Sequence, residues 1–236
     1  MTGERQWSPD PVHVAVDLTL FTVVDGRLRV LLHRRPYDPA AGSWAVPGSF
    51  TRPGETLDDT ARRAVLDKAG LEAVWLEQLQ TYDQATASGA TRVVSVVQLA
   101  LVDADRATPA GEADWWPVDE LPGRLAFDQD RFVADGVARL RAKARYAPLA
   151  FQLLGDDFTL AELQVVYEAV LGHELDVRNF RRDVLASGTV EETGDVRREG
   201  PGRPAKLYCH TSGGFAVDGD ERRLARLIAR QSPPQG

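Results

Sequence analysis

The sequence is short of cysteine, of basic charge and of long apolar runs, and each shortage removes a class of protein. A single cysteine, Cys209, cannot form a disulfide within the chain, which fits a reducing compartment. No stretch approaches the ~18 consecutive apolar residues of a helical membrane span, and the opening MTGERQWSPDP has no apolar signal core. These absences predict a cytoplasmic protein with no membrane partner. The net charge of −7 leaves no global basic footprint, so nucleic-acid binding must rest on a local pattern. His13, His33, His173 and His210 lack metal-ligand spacing, so neither metal nor cofactor is assigned. What is present is 236 residues with 43% hydrophobic content, enough for a buried core and for two domains.

Val12 to Val24 alternates as a half-buried strand, and Asp25-Gly26 makes a hairpin turn into Leu28 to Leu32. His33-Arg34-Arg35-Pro36 and a loop then lead to Trp44-Ala45-Val46-Pro47-Gly48. Arg34 and Arg35 suit a ligand phosphate, and Trp44 suits stacking on a base. A solvated arginine pair and a core tryptophan are the alternatives.

Gly48 to Leu71, GSFTRPGETLDDTARRAVLDKAGL, reads as a loop, a helix and a second loop. Thr56 is the expected N-cap, Asp58 and Asp59 fall in the first turn, and Gly70 closes the helix. Leu57, Ala61, Ala64, Val65 and Leu66 supply its expected apolar stripe. The stretch resembles the signature box of the Nudix hydrolases, in which a glycine, a glutamate and an Arg-Glu…Glu-Glu helix precede a final glycine. Glu55, Arg63, Val65 and Gly70 match it. The basic strand end and the W-x-x-P-G before the box are similar to that family too.

In that family the helix carries three carboxylates at i, i+3 and i+4, on one face, where they hold magnesium against a diphosphate. Here those positions are Ala64, Asp67 and Lys68, and Ser49 replaces the box glycine. A lysine beside Asp67 repels a divalent cation and competes for the carboxylate. The departure implies a former hydrolase core kept to bind a ligand, with no catalytic residue. Glu112 would be a base in an active relative; here it is expected as a ligand-contacting or surface carboxylate. The effector-site candidates are Arg34, Arg35, Trp44, Glu55, Asp67 and Glu112.

Val74 to Tyr82 and Arg92 to Val102 read as strands around a polar turn at Ala87-Ser88-Gly89. Trp115 to Val118 and the D-E-L-P turn follow, similar to the close of a Nudix domain. A helix is expected from about Asp128 to Arg145, with Phe132, Val133, Val137 and Leu140 near helical spacing.

Beyond Tyr146-Ala147-Pro148 the pattern changes. Leu149 to Leu154 is a short apolar helix, and Thr159-x-x-Glu162 signals a capping box. Leu160, Leu163, Val166, Tyr167 and Val170 form the buried face of the helix it opens, which Gly172 ends. Asp176 then caps Val177 to Ala186, with Val177, Phe180 and Val184 on one side and Arg178, Asn179, Arg181 and Arg182 elsewhere. This is the make-up of a helix-turn-helix whose second helix enters the major groove. Strands over Thr189 to Thr193 and Ala205 to His210, joined by GDVRREGPGRP, make the wing. Arg197, Arg198 and Arg203 in the loop and Lys206 on the returning strand are candidate DNA contacts.

From Asp176 to His210 there are seven basic and six acidic residues, so placement and not net charge favours DNA. A protein-binding winged helix stays open at this point. The last segment, Asp218 to Arg230, suits an amphipathic helix with Leu224, Leu227 and Ile228 on one side. It is expected to pack on the winged helix or on a dimer mate, with a basic arm (Arg222, Arg223, Arg226, Arg230) as the alternative.

The two halves together, a degenerate Nudix domain at 1–146 and a winged helix-turn-helix at 147–236, resemble the Nudix-related transcriptional regulators, the NrtR family. FTLAELQVVYEAVLG, VRNFRRDVLASG and GRPAKLY carry the likeness. It implies an α+β protein, with an α/β/α Nudix sandwich joined to the winged helix-turn-helix. It further implies a dimeric repressor of NAD biosynthesis genes that binds an imperfectly palindromic double-stranded operator and senses ADP-ribose or a related nucleotide. The alternative reading is an active Nudix hydrolase, an ADP-ribose pyrophosphatase. A protein-interaction adaptor is a third.

Overall fold

The computed structural model describes residues 12–72, 75–85, 92–145, 147, 149–198 and 204–211. The turn at Ala87-Ser88-Gly89, the boundary residues Tyr146 and Pro148, Arg203 in the wing and the helix expected from Asp218 to Arg230 lie outside them.

The first strand, β1 (Val12–Val24), turns at Asp25-Gly26 into β2 (Arg27–Arg34). Asp25 and Gly26 have φ of 53° and 70°, the left-handed pair that a two-residue hairpin matched to strand twist requires. Then come β3 (Trp44–Ala45), β4 (Gly48–Phe50), helix α1 (Leu57–Ala69), β5 (Trp75–Ala85), β6 (Arg92–Leu101), β7 (Ala113–Pro117) and helix α2 (Asp130–Ala144). The strands form one mixed sheet in the order β3-β2-β1-β6-β5, with β4 added to β1 and β7 to β2. β1 runs parallel to β6 and antiparallel to β2.

β1 is not half-buried as its alternation suggests. Every residue from Val16 to Val23 is buried. Val16, Leu18 and Leu20 pack under α1, while Phe21 and Val23 pack under α2, because a central strand between two helix layers has no solvent face. The helices explain a second difference. α1 approaches the sheet through the small residues Thr60, Ala61, Ala64, Val65 and Ala69, whereas Leu57 and Leu66, expected in its stripe, stand 37% and 54% exposed. α2 makes a similarly close approach at Gly136, where a Cβ would lie 3.0 Å from the Phe21 ring.

The second unit begins with a 3-10 helix at Leu149–Leu153, followed by β8 (Asp157–Phe158), α3 (Leu160–Leu171), α4 (Val177–Ser187), β9 (Val190–Arg197) and β10 (Ala205–His210). β8-β10-β9 is a small antiparallel sheet, and with α3 and α4 it makes a winged helix. The two-residue strand β8 is too short to leave a periodic signal. β9 runs on to Arg197, so Arg197 belongs to a strand and not to the joining loop. The apolar core is continuous from the α2 face of the sheet through Phe151 to Tyr167 and Phe180. α3 lies against α2 and β2, and a cleft of about 500 Å³ remains between Arg27, Leu28 and Asp119 on one side and Val165, Glu168 and His173 on the other.

Candidate functional site

The entry to α1 is held by charge. Thr56 and Asp59 form a reciprocal capping box, and Gly70 ends the helix in the left-handed conformation at φ 65°. Glu55 is tied down as well. Arg63 donates from Nε to Glu55 Oε1 at 2.7 Å and from Nη2 to Oε2 at 2.8 Å, while its Nη1 reaches Ser49 Oγ at 2.8 Å. Thr60 Oγ1 and the Arg52 backbone N–H also donate to Glu55 Oε2, each at 3.0 Å. The Arg63 hydrogen bonds, chief among these contacts, hold the Glu55 carboxyl down to about 2.

Of the three helix positions that would carry the box carboxylates, Ala64 is fully buried against the sheet. The Asp67 side chain is 53% exposed with Arg63 Nη1 3.8 Å away, and Lys68 is half-buried. Lys68 acts on His33, which burial and then the Lys68 and Arg35 charges push down to about 4. Among the described residues no three His, Cys, Asp or Glu side chains gather as a metal site.

The other cluster surrounds the end of β2 on the α2 face. The Arg34 guanidinium sits 5.6 Å from the Trp44 ring, and Trp44 meets Trp116 edge-on at 5.5 Å. Arg35 sits 4.7 Å from the ring of Phe127, and its Nε donates to Pro39 O at 3.0 Å. Phe127 is 40% exposed with φ 58°, and Asp128 follows at φ 56°, so the loop before α2 holds that ring outward by a local departure from ordinary backbone. The Arg34 backbone N–H donates to the carbonyl of Glu112, whose side chain is exposed.

Beneath lies a buried acid that sequence reasoning did not single out. Asp17 is 8% exposed, accepts a hydrogen bond from Ser95 Oγ, and has Gln129 Nε2 3.4 Å from Oδ1. Gln129 is in turn fixed by the Val46 backbone N–H at 3.0 Å. Burial raises the Asp17 carboxyl to about 6, against the lowering by Ser95 and the Arg35 charge. Its presence was legible as one acid inside VHVAVDLTLF, a position where an unpaired charge is costly. Arg35 acts on both Asp17 and His33, so the two clusters meet at the end of β2. The structure thus gathers Arg34, Arg35 and Trp44, keeps Glu55 with Asp67 around Arg63, and adds Asp17, Ser95, Phe127 and Gln129.

In the winged helix, α3 carries the expected capping box, with Thr159 N–H on Glu162 Oε2 at 2.6 Å, and stops at Gly172 with φ 78°. α4 is capped by Asp176, whose Oδ1 accepts from the Asn179 N–H at 2.8 Å. Phe180, Asp183, Val184 and Ser187 form its buried face; Val177, grouped with them from its spacing, is instead 48% exposed. Arg178, Arg181 and Arg182 stand exposed, Asn179 is half-buried, and Arg182 pairs with Asp183 at 2.9 Å. On the wing, Arg197 pairs with Glu162 and donates to Asp157 O, Lys206 pairs with Glu192 at 2.8 Å, and Arg198 is exposed. Arg197 therefore holds the wing to the start of α3.

Residues 12–136 match the family described as the NUDIX domain, and residues 150–210 match the NrtR DNA-binding winged helix domain. A protein of Acinetobacter baylyi described as the ADPR responsive transcriptional repressor NtrR is 35% identical over 207 residues, covering 85% of this chain and 82% of that protein. The crystal structure of Shewanella oneidensis NrtR complexed with a 27mer DNA superposes at a TM-score of 0.75 and 34% identity, covering 84% of this chain and 93% of that one. An ADP-ribose pyrophosphatase of Methanocaldococcus jannaschii is 28% identical over 125 residues, 52% of this chain and 71% of the relative.

Proposed function

The chain belongs to the NrtR family of Nudix-related transcriptional regulators, and from that premise we propose that it is a DNA-binding repressor controlled by ADP-ribose. The observation that carries the reading is α4, a capped recognition helix whose exposed face holds Arg178, Arg181 and Arg182 beside a wing. The Acinetobacter relative, a repressor responsive to ADPR, supports the effector. In this reading the domains divide near residue 146, and Arg34, Arg35 and Trp44 with Phe127 take the nucleotide, by phosphate pairing and ring stacking. A two-fold dimer presents two recognition helices to half-sites of an imperfect palindrome upstream of NAD biosynthesis genes, in the cytoplasm. ADP-ribose weakens DNA binding by binding the DNA-incompetent arrangement more tightly.

The pocket is proposed to be catalytically silent. A methyl group and an ammonium occupy two of the three carboxylate positions, and Glu55 is committed to Arg63. The second reading, a working pyrophosphatase, draws on Glu55 and Asp67 and on the Methanocaldococcus relative. Restoring the clamp with Ala64→Glu would bury a carboxylate in the core under β1, so the native protein itself is the better test. With magnesium and ADP-ribose it is expected to give background turnover; an ordinary enzymatic rate would establish the hydrolase instead. The DNA test is fluorescence anisotropy on duplexes from upstream of this gene and of NAD genes, with a scrambled control, at fixed salt. Specific binding that ADP-ribose weakens is the expected outcome. An absence of specific binding would sink the repressor.

A further inference from the structure

Two large apolar side chains on α4 are left exposed, Leu185 on the face that the winged helix turns away from its own core and Val177 at the edge of that face. Val177 is 48% exposed and Leu185 is 53% exposed. With Phe180, Asp183, Val184 and Ser187 facing inward, a rotation of about 100° per residue puts Val177, Arg181 and Leu185 on one ridge at i, i+4 and i+8. Arg178 and Arg182 form the adjacent ridge. The helix therefore offers a stripe in which arginines lie between and beside two apolar ends. Leu185 sits near the centre of this outward face, with Arg178, Arg181 and Arg182 around it.

Among the described residues, packing leaves about half of each side chain uncovered, because α4 meets α3 and β9 through its Phe180, Asp183, Val184 and Ser187 side. Arginine suits guanine O6 and N7 and the phosphates, but neither gains from an exposed leucine. The one apolar feature on the major-groove edges of base pairs is the C5-methyl group of thymine. The separation of Val177 and Leu185 along the helix, eight residues or about 12 Å, is within the reach of a helix laid in that groove.

We propose that Val177 and Leu185 contact thymine methyl groups, so that each operator half-site places thymines on both sides of the base pair reached by Arg181. The inference rests on the DNA-binding reading and deepens it, turning α4 from a basic helix into one that selects A·T pairs at two positions. The surrounding arginines argue for nucleic acid over a second protein as the occupant of this face.

The test needs no knowledge of the operator. The upstream fragment that the wild type binds is amplified once with dTTP and once with dUTP, giving duplexes of one sequence with and without the methyl groups. Wild type is expected to bind the thymine duplex more tightly, on the order of tenfold. Leu185→Ser and Val177→Ser with Leu185→Ser should bind the thymine duplex more weakly and progressively lose the difference between the two, with unchanged thermal midpoints. A double variant that keeps the full preference would overturn the proposal, as would a wild type with no preference at all. A double variant that turns a dimer into a monomer while keeping the preference would assign the face to a second copy and also overturn it. If wild type fails to bind the thymine duplex specifically, the DNA-binding reading falls first and this inference with it.

Discussion

At the scale of single residues, Gly48 and Asp17 specify one another. A Cβ on Gly48 would lie 2.0 Å from Asp17 Oδ1 and 3.3 Å from the carbonyl of Val16. Gly48→Ala is therefore expected to cost roughly 1–3 kcal/mol, read as a lower thermal midpoint, through overpacking beside a buried carboxyl. Asp17 and His33 are opposed in their response to pH. Asp17 is raised to about 6, so the stability it contributes is present at low pH and is lost as pH rises through 6. His33 is lowered to about 4, so its contribution is present above its unfolded value of 6.5 and is lost as pH falls through 4. Between these limits the slopes oppose. Relative to wild type, Asp17→Asn should make stability climb more with pH over that window, and His33→Gln should make it climb less. Denaturant titrations at several pH values check both, and parallel profiles for all three proteins would refute the assignment.

At the scale of elements, capping decides where the helices of the winged helix begin. Thr159→Ala removes the side chain that accepts the Glu162 N–H at 3.1 Å and is expected to cost about 1 kcal/mol. Glu162 also receives Arg197, so Arg197→Ala should loosen the wing and lower DNA affinity while leaving ADP-ribose affinity unchanged. Arg178 behaves differently, since it has no ion pair among the described residues and stands on the outward face. Arg178→Ala should weaken DNA binding; a drop of about 1 in the salt slope would mark a phosphate contact, and relaxed sequence preference a base contact. The caps at Thr56, Thr159 and Asp176 and the left-handed glycine stops at Gly70 and Gly172 were legible because caps are local chemistry. The exposure of Leu57, Leu66 and Val177 was not, because periodicity ranks residues by hydrophobicity and cannot say how closely a neighbouring layer approaches. The sequence pattern places Arg197 in the joining loop because the turn-forming Gly194 lies within the extended β9.

At the scale of the whole molecule, the proposed control of DNA binding by ADP-ribose has to pass through the contact between the two units. α3 lies on α2 and β2, and Arg141 reaches from α2 to the carbonyl of Val170 at 3.2 Å. The winged helix is thus seated on the Nudix unit by a shared core, which is the physical link the proposed coupling needs. If ADP-ribose lowers DNA affinity by some factor, operator DNA must lower ADP-ribose affinity by the same factor. Calorimetric titration of ADP-ribose with and without saturating operator is expected to show that reciprocity. An unequal pair of factors at equilibrium would mean that the two ligands act on different species, such as monomer and dimer.

The sequence by itself determined the family likeness, the longer strands and helices, the caps and the altered carboxylate positions of the α1 box, because each is written in neighbouring residues. It also marked Arg34, Arg35 and Trp44, which the fold does bring together at one strand end. Only the tertiary structure decided that Asp17, Ser95 and Gln129 lie under that site, since they come from β1, β6 and the approach to α2. Only it decided that Arg63 absorbs Glu55 and that Leu185 is left facing outward among arginines. Burial and partnership are properties of packed layers, and residues far apart in the chain acquire them only when those layers close.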